Sequence, residues 1–310
     1  MRNRFFIQIV AVALFSITAA SVYYYHVCNA LNKTNEGPTG KLNHILHNTT
    51  HYDAVFMGSS RVLRNINPLL FDSLTGILSY NAGIDGANFT LIDILTRRFI
   101  EQHKPKYIFI NLDPYTMERD SEVFYYPQFY PHIHDVGMNE LAFIEPSLLL
   151  GNRYPFIAIS YMDDNLKGEA TATSFSAENN NDVMLNHRGF EPLLNPDYHG
   201  STDTFSLTLS CDKNAFKKLD SLCAYCTAQH CKVFFMMAPI CRATNEHGQN
   251  IEIYYSELRN IEARYNISEF NFYDRPGFTK AMFFNQTHIN QAGAIVYTRL
   301  LADTFNKANH

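Results

Sequence analysis

A serine and a histidine far apart in the chain supply the first chemical signal. The run Asp53-Ala54-Val55-Phe56-Met57-Gly58-Ser59-Ser60-Arg61 passes from a short apolar stretch into small hydroxyl-bearing residues, ahead of a segment that reads as a helix. At the C-terminal end of a parallel strand, such a turn displays a nucleophile beside a helix N-terminus that favours developing negative charge. A serine hydroxyl attacks poorly until a base within about 3 Å takes its proton. His288, in Asn285-Gln286-Thr287-His288-Ile289-Asn290, offers that base. Alone, Ser60 also suits a helix cap and His288 a surface histidine, so the fold must bring the two together for chemistry to follow.

The elements that would do so alternate. Asp53–Met57, Leu78–Asn81 and Tyr107–Leu112 read as short buried strands, separated by helices that open at Asn67-Pro68 and near Ala87. The order resumes late, with a helix over 212–230, a strand at Lys232–Pro239, a helix over 251–265, a strand at 270–274 and a terminal helix over 292–306. Strands alternating with helices predict a parallel sheet covered on both faces. Five of them fit a three-layer α/β/α, flavodoxin-like sandwich. Residues 116–210, rich in Tyr, Phe, Pro, His and Asn, are too long for a structureless loop and read as an insertion capping the C-terminal edge of the sheet.

The N-terminus carries a second signal. Arg2 and Arg4 precede an uncharged run from Phe5 to Tyr25, long enough to cross a bilayer as a helix. Arginines on one side only keep the N-terminus cytoplasmic and export the remainder, with the tyrosine triplet at the far interface. Thr18-Ala19-Ala20 leaves a cleaved signal peptide as the alternative. The expected layout is an anchor over 1–25, a polar linker over 26–50 and a catalytic domain over 51–310. The net charge of -5 and the absence of a basic patch exclude nucleic-acid binding. Six cysteines, Cys28, Cys211, Cys223, Cys226, Cys231 and Cys241, read as buried thiols or as disulfides of an oxidising compartment, with metal or redox chemistry at Cys223, Cys226 and Cys231 as a third reading. The His132/His134/Asp135 group has no recognisable further ligand, so no metal and no cofactor is expected.

Gly58-Ser59-Ser60-Arg61, Asn81-Ala82-Gly83, Asn111 and the late His288 together resemble the SGNH/GDSL hydrolase superfamily. The Gly-Ser-Ser form is similar to the membrane-anchored branch that includes DltD and polysaccharide O-acetyltransferases. That resemblance implies Ser60 as nucleophile, His288 as base, and the N–H groups of Ser60 and Gly83 as oxyanion donors. It implies a further donor in Asn111, for which Asn88 competes because the third block here is Asn111-Leu112-Asp113-Pro114. Arg61 is a candidate for binding an anionic substrate group, with a salt bridge as the other reading.

One position departs from the family pattern. Asn285 stands where the resemblance expects the aspartate that orients the histidine. A Ser60–His288 dyad, a carboxylate from Asp113 or Asp274, or a degenerate site are the three outcomes. The implied function is an O-acyltransferase or esterase acting on acyl esters of cell-envelope glycans, fixed in the bacterial cytoplasmic membrane with its domain on the periplasmic or extracellular side. A membrane protein that donates the acyl group is the implied partner. A catalytically weak or inactive accessory protein on the same fold is the alternative.

Overall fold

The computed structural model describes residues 2–35, 37–118, 122–175, 187–200, 212–241 and 251–309. Five parallel strands, β1 (Ala54–Met57), β2 (Ser79–Asn81), β3 (Tyr107–Asn111), β4 (Lys232–Met237) and β5 (Ser268–Asn271), form one sheet in the order β2-β1-β3-β4-β5. The chain goes to one side of β1 for β2 and to the other for β3, so β1 and β3 flank a topological switch point. Crevices at such points, outside the carboxyl ends of the strands, are where open α/β sheets bind ligands.

Eleven α-helices lie among the described residues: α1 (Arg2–Leu31), α2 (Gly37–His47), α3 (Ser60–Asn65), α4 (Pro68–Thr75), α5 (Phe89–His103), α6 (Leu150–Arg153), α7 (Pro155–Tyr161), α8 (Asp164–Phe175), α9 (Lys213–Ala228), α10 (Ile251–Tyr265) and α11 (Gln291–Asn309). Helices α3 and α4 pack on α11, while α5 packs on α9 and α9 on α10. The two groups cover the two faces of the sheet, giving the expected three layers. Strand periodicity sends Phe56, Phe109 and Phe234 to one face, where they meet Phe71 of α4 and Phe305 of α11. Register places the three phenylalanines side by side, with ring centroids 4.8 and 5.0 Å apart. Each buried ring contributes roughly 1.5–3 kcal/mol from desolvation, so this ladder holds the central strands, and with them the strand ends, in place.

Two compact units divide the chain: Met1–His44 with Tyr125–Asp182, and Ile45–Phe124 with Val183–His310. The sheet belongs to the second. In the first, α1 is exposed from Asn3 to Ala19, and its last turns are buried at Tyr24, Val27, Cys28 and Leu31 against α7 and α8. The apolar helix has the length and composition of a membrane anchor or signal sequence. Residues 26–50 differ from the expected polar linker. Helix α1 runs through Leu31, and α2 follows after a turn that Asn43 closes by donating to the carbonyls of Leu31 and Thr34 at 2.7 and 2.8 Å. Polar side chains there, Thr39, Lys41 and Asn43 among them, are buried rather than solvated.

From Tyr126 to Phe175 the insertion is short helical pieces: 3₁₀ turns at Tyr126–His132, Met138–Phe143 and Pro146–Leu149, then α6, α7 and α8, while residues 187–200 form neither helix nor strand. His132 is buried and meets Asp135 at 3.2 Å, whereas His134 is exposed. Cys28, Cys223, Cys226, Cys231 and Cys241 are buried, and no disulfide forms among the described residues. Cys211 lies outside them.

Candidate active site

Ser60 is the first residue of α3, immediately after the turn that leaves β1. A Cβ at Gly58 would fall 2.5 Å from Val62 Cγ2 and 3.0 Å from Asn111 Cβ, so only glycine lets the chain turn there. Helix α3 is held by Asn81 at the end of β2. Its amide nitrogen donates to the carbonyls of Val62 and Ile66 at 2.7 and 2.8 Å, and its oxygen accepts the Gly83 N–H at 3.0 Å. Asn81, visible in the sequence only as the first residue of Asn81-Ala82-Gly83, is thus a positioning residue.

The base arrives on a tight loop. Phe283 and Ile289 form an isolated antiparallel bridge, and the His288 carbonyl accepts the N–H of Phe284 at 2.9 Å. Beyond the loop, Asn290 accepts the Gly293 N–H at 3.1 Å and donates to the Ala281 carbonyl at 2.8 Å, fixing the loop to the start of α11. His288 Nε2 then lies 2.8 Å from Ser60 Oγ.

Asn285 decides what that distance means. Its Oδ1 accepts the backbone N–H of Thr287 at 3.0 Å and of His288 at 2.8 Å, and faces His288 Nδ1 at 3.1 Å. Two backbone donors on one atom fix which end of the amide is oxygen. An acceptor opposite Nδ1 selects the tautomer protonated there, leaving the Nε2 lone pair for the Ser60 hydroxyl. In serine proteases, aspartate to asparagine at this position of the triad costs about 10⁴ in turnover through the wrong tautomer. The backbone donors at Asn285 remove that failure. What is missing is the negative charge that would stabilise an imidazolium. Thr287 Oγ1, 3.1 Å from Nδ1, is the other group the ring meets there. Asp113 and Asp274 do not substitute: Asp113 is paired elsewhere and Asp274 is exposed, and neither hydrogen-bonds the ring.

Burial, aided by the Arg61 and Arg64 guanidiniums and opposed by Asp85, pushes His288 down to about 4. At neutral pH the imidazole is therefore uncharged and competent as a base.

The structure corrects Arg61. Its side chain is 5% exposed, and its guanidinium donates to Asp113 at 2.6 Å and to the carbonyls of Ala238 and Pro239 at 2.6 and 2.9 Å. It joins the ends of β1, β3 and β4 instead of meeting a substrate. Asn88 is corrected as well. Its oxygen caps α5 by accepting the Leu91 N–H at 3.0 Å, and its nitrogen donates to the Glu122 carbonyl at 3.0 Å, so the amide joins the start of α5 to the backbone at Glu122. Asn111 stands beside Gly58 and donates one amide hydrogen to Asp113 at 2.5 Å, with its oxygen buried and unpartnered.

Gly83 must be glycine because of the backbone packed against it. A Cβ there would lie 2.4 Å from Leu63 N and 2.9 Å from Ser59 O, which is backbone that carries the nucleophile. Gly83→Ala is expected to displace α3, costing about 1–3 kcal/mol and slowing Ser60 chemistry together. Thermal unfolding and ester turnover check this, and an unchanged pair of values would contradict it.

No family model matches this chain, and no curated protein matches it. Several solved structures are similar at low identity, among them these two. One, a Bacteroides fragilis protein provisionally assigned as an acylhydrolase, is 15% identical with a TM-score of 0.40 over 83% of this chain and 88% of its own. The other, a gut microbial diltiazem-metabolizing enzyme, is 11% identical with a TM-score of 0.41 over 83% of this chain and 47% of its own.

Proposed function

We propose that this chain is a membrane-anchored, exported acyltransferase or esterase that uses Ser60 on acyl esters of cell-envelope glycans. The observation that carries the reading is the Ser60 Oγ to His288 Nε2 distance of 2.8 Å, with Asn285 holding the productive tautomer. His288 Nε2 takes the hydroxyl proton as Oγ attacks the ester carbonyl. The bond to the leaving alcohol breaks, and that oxygen takes the proton from Nε2. An acceptor hydroxyl, from sugar or water, then gives its proton to Nε2 and attacks the acyl-serine, and the proton returns to Oγ.

For the oxyanion we assign the Ser60 N–H, at the start of α3 where intrahelical partners are lacking, and the remaining amide hydrogen of Asn111. The Gly83 N–H is shared with Asn81. One such donor is worth about 3–4 kcal/mol of barrier. The apolar α1 supports placement in the bacterial cytoplasmic membrane with the α/β unit outside, where a membrane acyl donor would supply substrate.

The second reading is an accessory protein of glycan modification without turnover. It is favoured by the uncharged amide at Nδ1. Complementation separates the two. In a deletion strain, surface-glycan acylation measured by mass spectrometry should fall for a transferase and rise for an esterase. A Ser60→Ala gene should fail to restore the wild-type level. Full restoration by that gene would establish the accessory reading.

The pH profile follows from the base. His288 is lowered from 6.5 to about 4, and only its neutral form accepts the serine proton. The acid limb of kcat/KM is therefore expected near pH 4. Asn285→Asp adds a charge that favours the imidazolium, so the limb should move up toward neutrality while the plateau rises about tenfold or more. An acid limb near 6.5 in the wild type, or an unmoved one in the variant, would contradict the assignment.

A further inference from the structure

The unit formed by Met1–His44 and Tyr125–Asp182 exposes apolar side chains that a soluble surface would not carry. From Leu141 to Met162 only Glu145 and Arg153 are charged, and Glu145 is turned back onto the Ser147 N–H at 3.1 Å. Helix α7 packs on α1. Every residue of α1 from Asn3 to Ala19 is exposed, and burial begins only with Ala20, then Tyr24, Val27, Cys28 and Leu31. These positions follow a helical face, so the insertion grips α1 by its last turns, where a span of about 30 Å emerges from the hydrocarbon.

Beside that point, Tyr154, which immediately precedes α7, and Ile157 and Tyr161 within it are turned outward, at 42, 36 and 48% exposure. Ile157 and Tyr161 are four residues apart and so lie on one side of the helix, with Tyr154 at its N-terminal end. Tyr23 and Tyr25 are also exposed, in the turns of α1 where its burial begins. Arg153 sits over the Tyr154 ring at 5.9 Å, a basic group at the edge of an aromatic surface. Exposed tyrosines with an aliphatic side chain between them, next to an emerging span, are the composition of a membrane–water boundary.

We infer that the outward side of α7, with Tyr154, Ile157 and Tyr161, rests in the headgroup boundary of the bilayer that α1 crosses. The inference rests on α1 being a retained anchor. A lipid surface is the occupant because the patch is continuous with α1 within one unit, and a bilayer around α1 brings its boundary to the turns that α7 grips. The insertion is thereby a second, interfacial attachment, and the unit cannot swivel freely about its anchor.

The chain contains no tryptophan, so a single introduced one reports its own surroundings. The full-length protein is placed in phosphatidylcholine vesicles, with or without lipids brominated in the upper acyl chain. Ile157→Trp emission should fall at least about twofold with brominated lipid, as expected for a side chain some 5–10 Å into the boundary. Tyr161→Trp should follow it. Phe15→Trp reports the span itself, and Ile253→Trp, on α10 of the other unit, reports solvent. Quenching of Phe15→Trp with Ile157→Trp and Tyr161→Trp both as bright as Ile253→Trp would overturn the inference and leave the face to a protein partner. An unquenched Phe15→Trp would overturn the anchor, and the inference with it.

Discussion

His288→Ala is expected to lower ester turnover at neutral pH by about 10³-fold, within the 10²–10⁴ that positioned general bases supply. The value sits below that of a charged triad because the amide of Asn285 contributes orientation without charge. Stability should hardly change, since His288 is only half-buried and Asn285 Oδ1 still accepts both backbone N–H groups of the loop. The loop that carries the base therefore keeps its shape when the base is removed. Steady-state kinetics on an activated ester, with thermal unfolding of the same preparation, reads both quantities. Turnover within threefold of wild type would show that Ser60 is activated by something else or does no chemistry.

Arg61→Ala is expected to destabilise the fold by about 3–5 kcal/mol, because it strands a buried carboxylate. The Arg61 and Asp113 side chains are 5 and 3% exposed. Burial already pushes the Asp113 carboxyl up, and Arg61 is the strongest influence opposing it. The same substitution leaves the carbonyls of Ala238 and Pro239 without the donor they share. Arg61→Met paired with Asp113→Leu should recover much of the loss, since a buried pair is often replaceable by apolar groups of similar volume. Denaturant titration of the detergent-solubilised protein measures both variants. A loss under about 1 kcal/mol in the single variant would mean that the pair is solvated.

Much of the architecture was legible because buried parallel strands are short continuous apolar runs and their helices carry caps. Tyr107–Asn111 and Lys232–Met237 fall within their expected ranges, and Asn67 and Asp212 cap α4 and α9. The edge strand β5 was displaced to 270–274 because only Phe270 in it is buried, leaving little signal at Ser268 and Glu269. Residues 26–50 looked like a linker since polar composition predicts solvation. Yet Lys41 and Asn43 are buried among the turns of α1 and α2. The insertion's association with α1 joins segments about a hundred residues apart, which no local periodicity encodes.

The site divides in the same way. Ser60 was identifiable from its place at a strand end and His288 from the family resemblance of the late block, and the structure brings them together. Arg61 beside a nucleophile suggested a substrate anchor, because sequence gives its charge and not its burial. At Asn285, residue type alone pointed to a damaged triad. The orientation of its amide depends on two backbone N–H groups that exist only once the loop has folded.

The central claim is that Ser60 is an activated nucleophile despite that amide. Labelling of the folded, full-length protein by a fluorophosphonate tests it most directly. The account predicts a covalent adduct on the peptide containing Ser60, lost in Ser60→Ala and strongly slowed in His288→Ala. Folded wild-type protein that takes up no label, or labelling that survives Ser60→Ala unchanged, would contradict it.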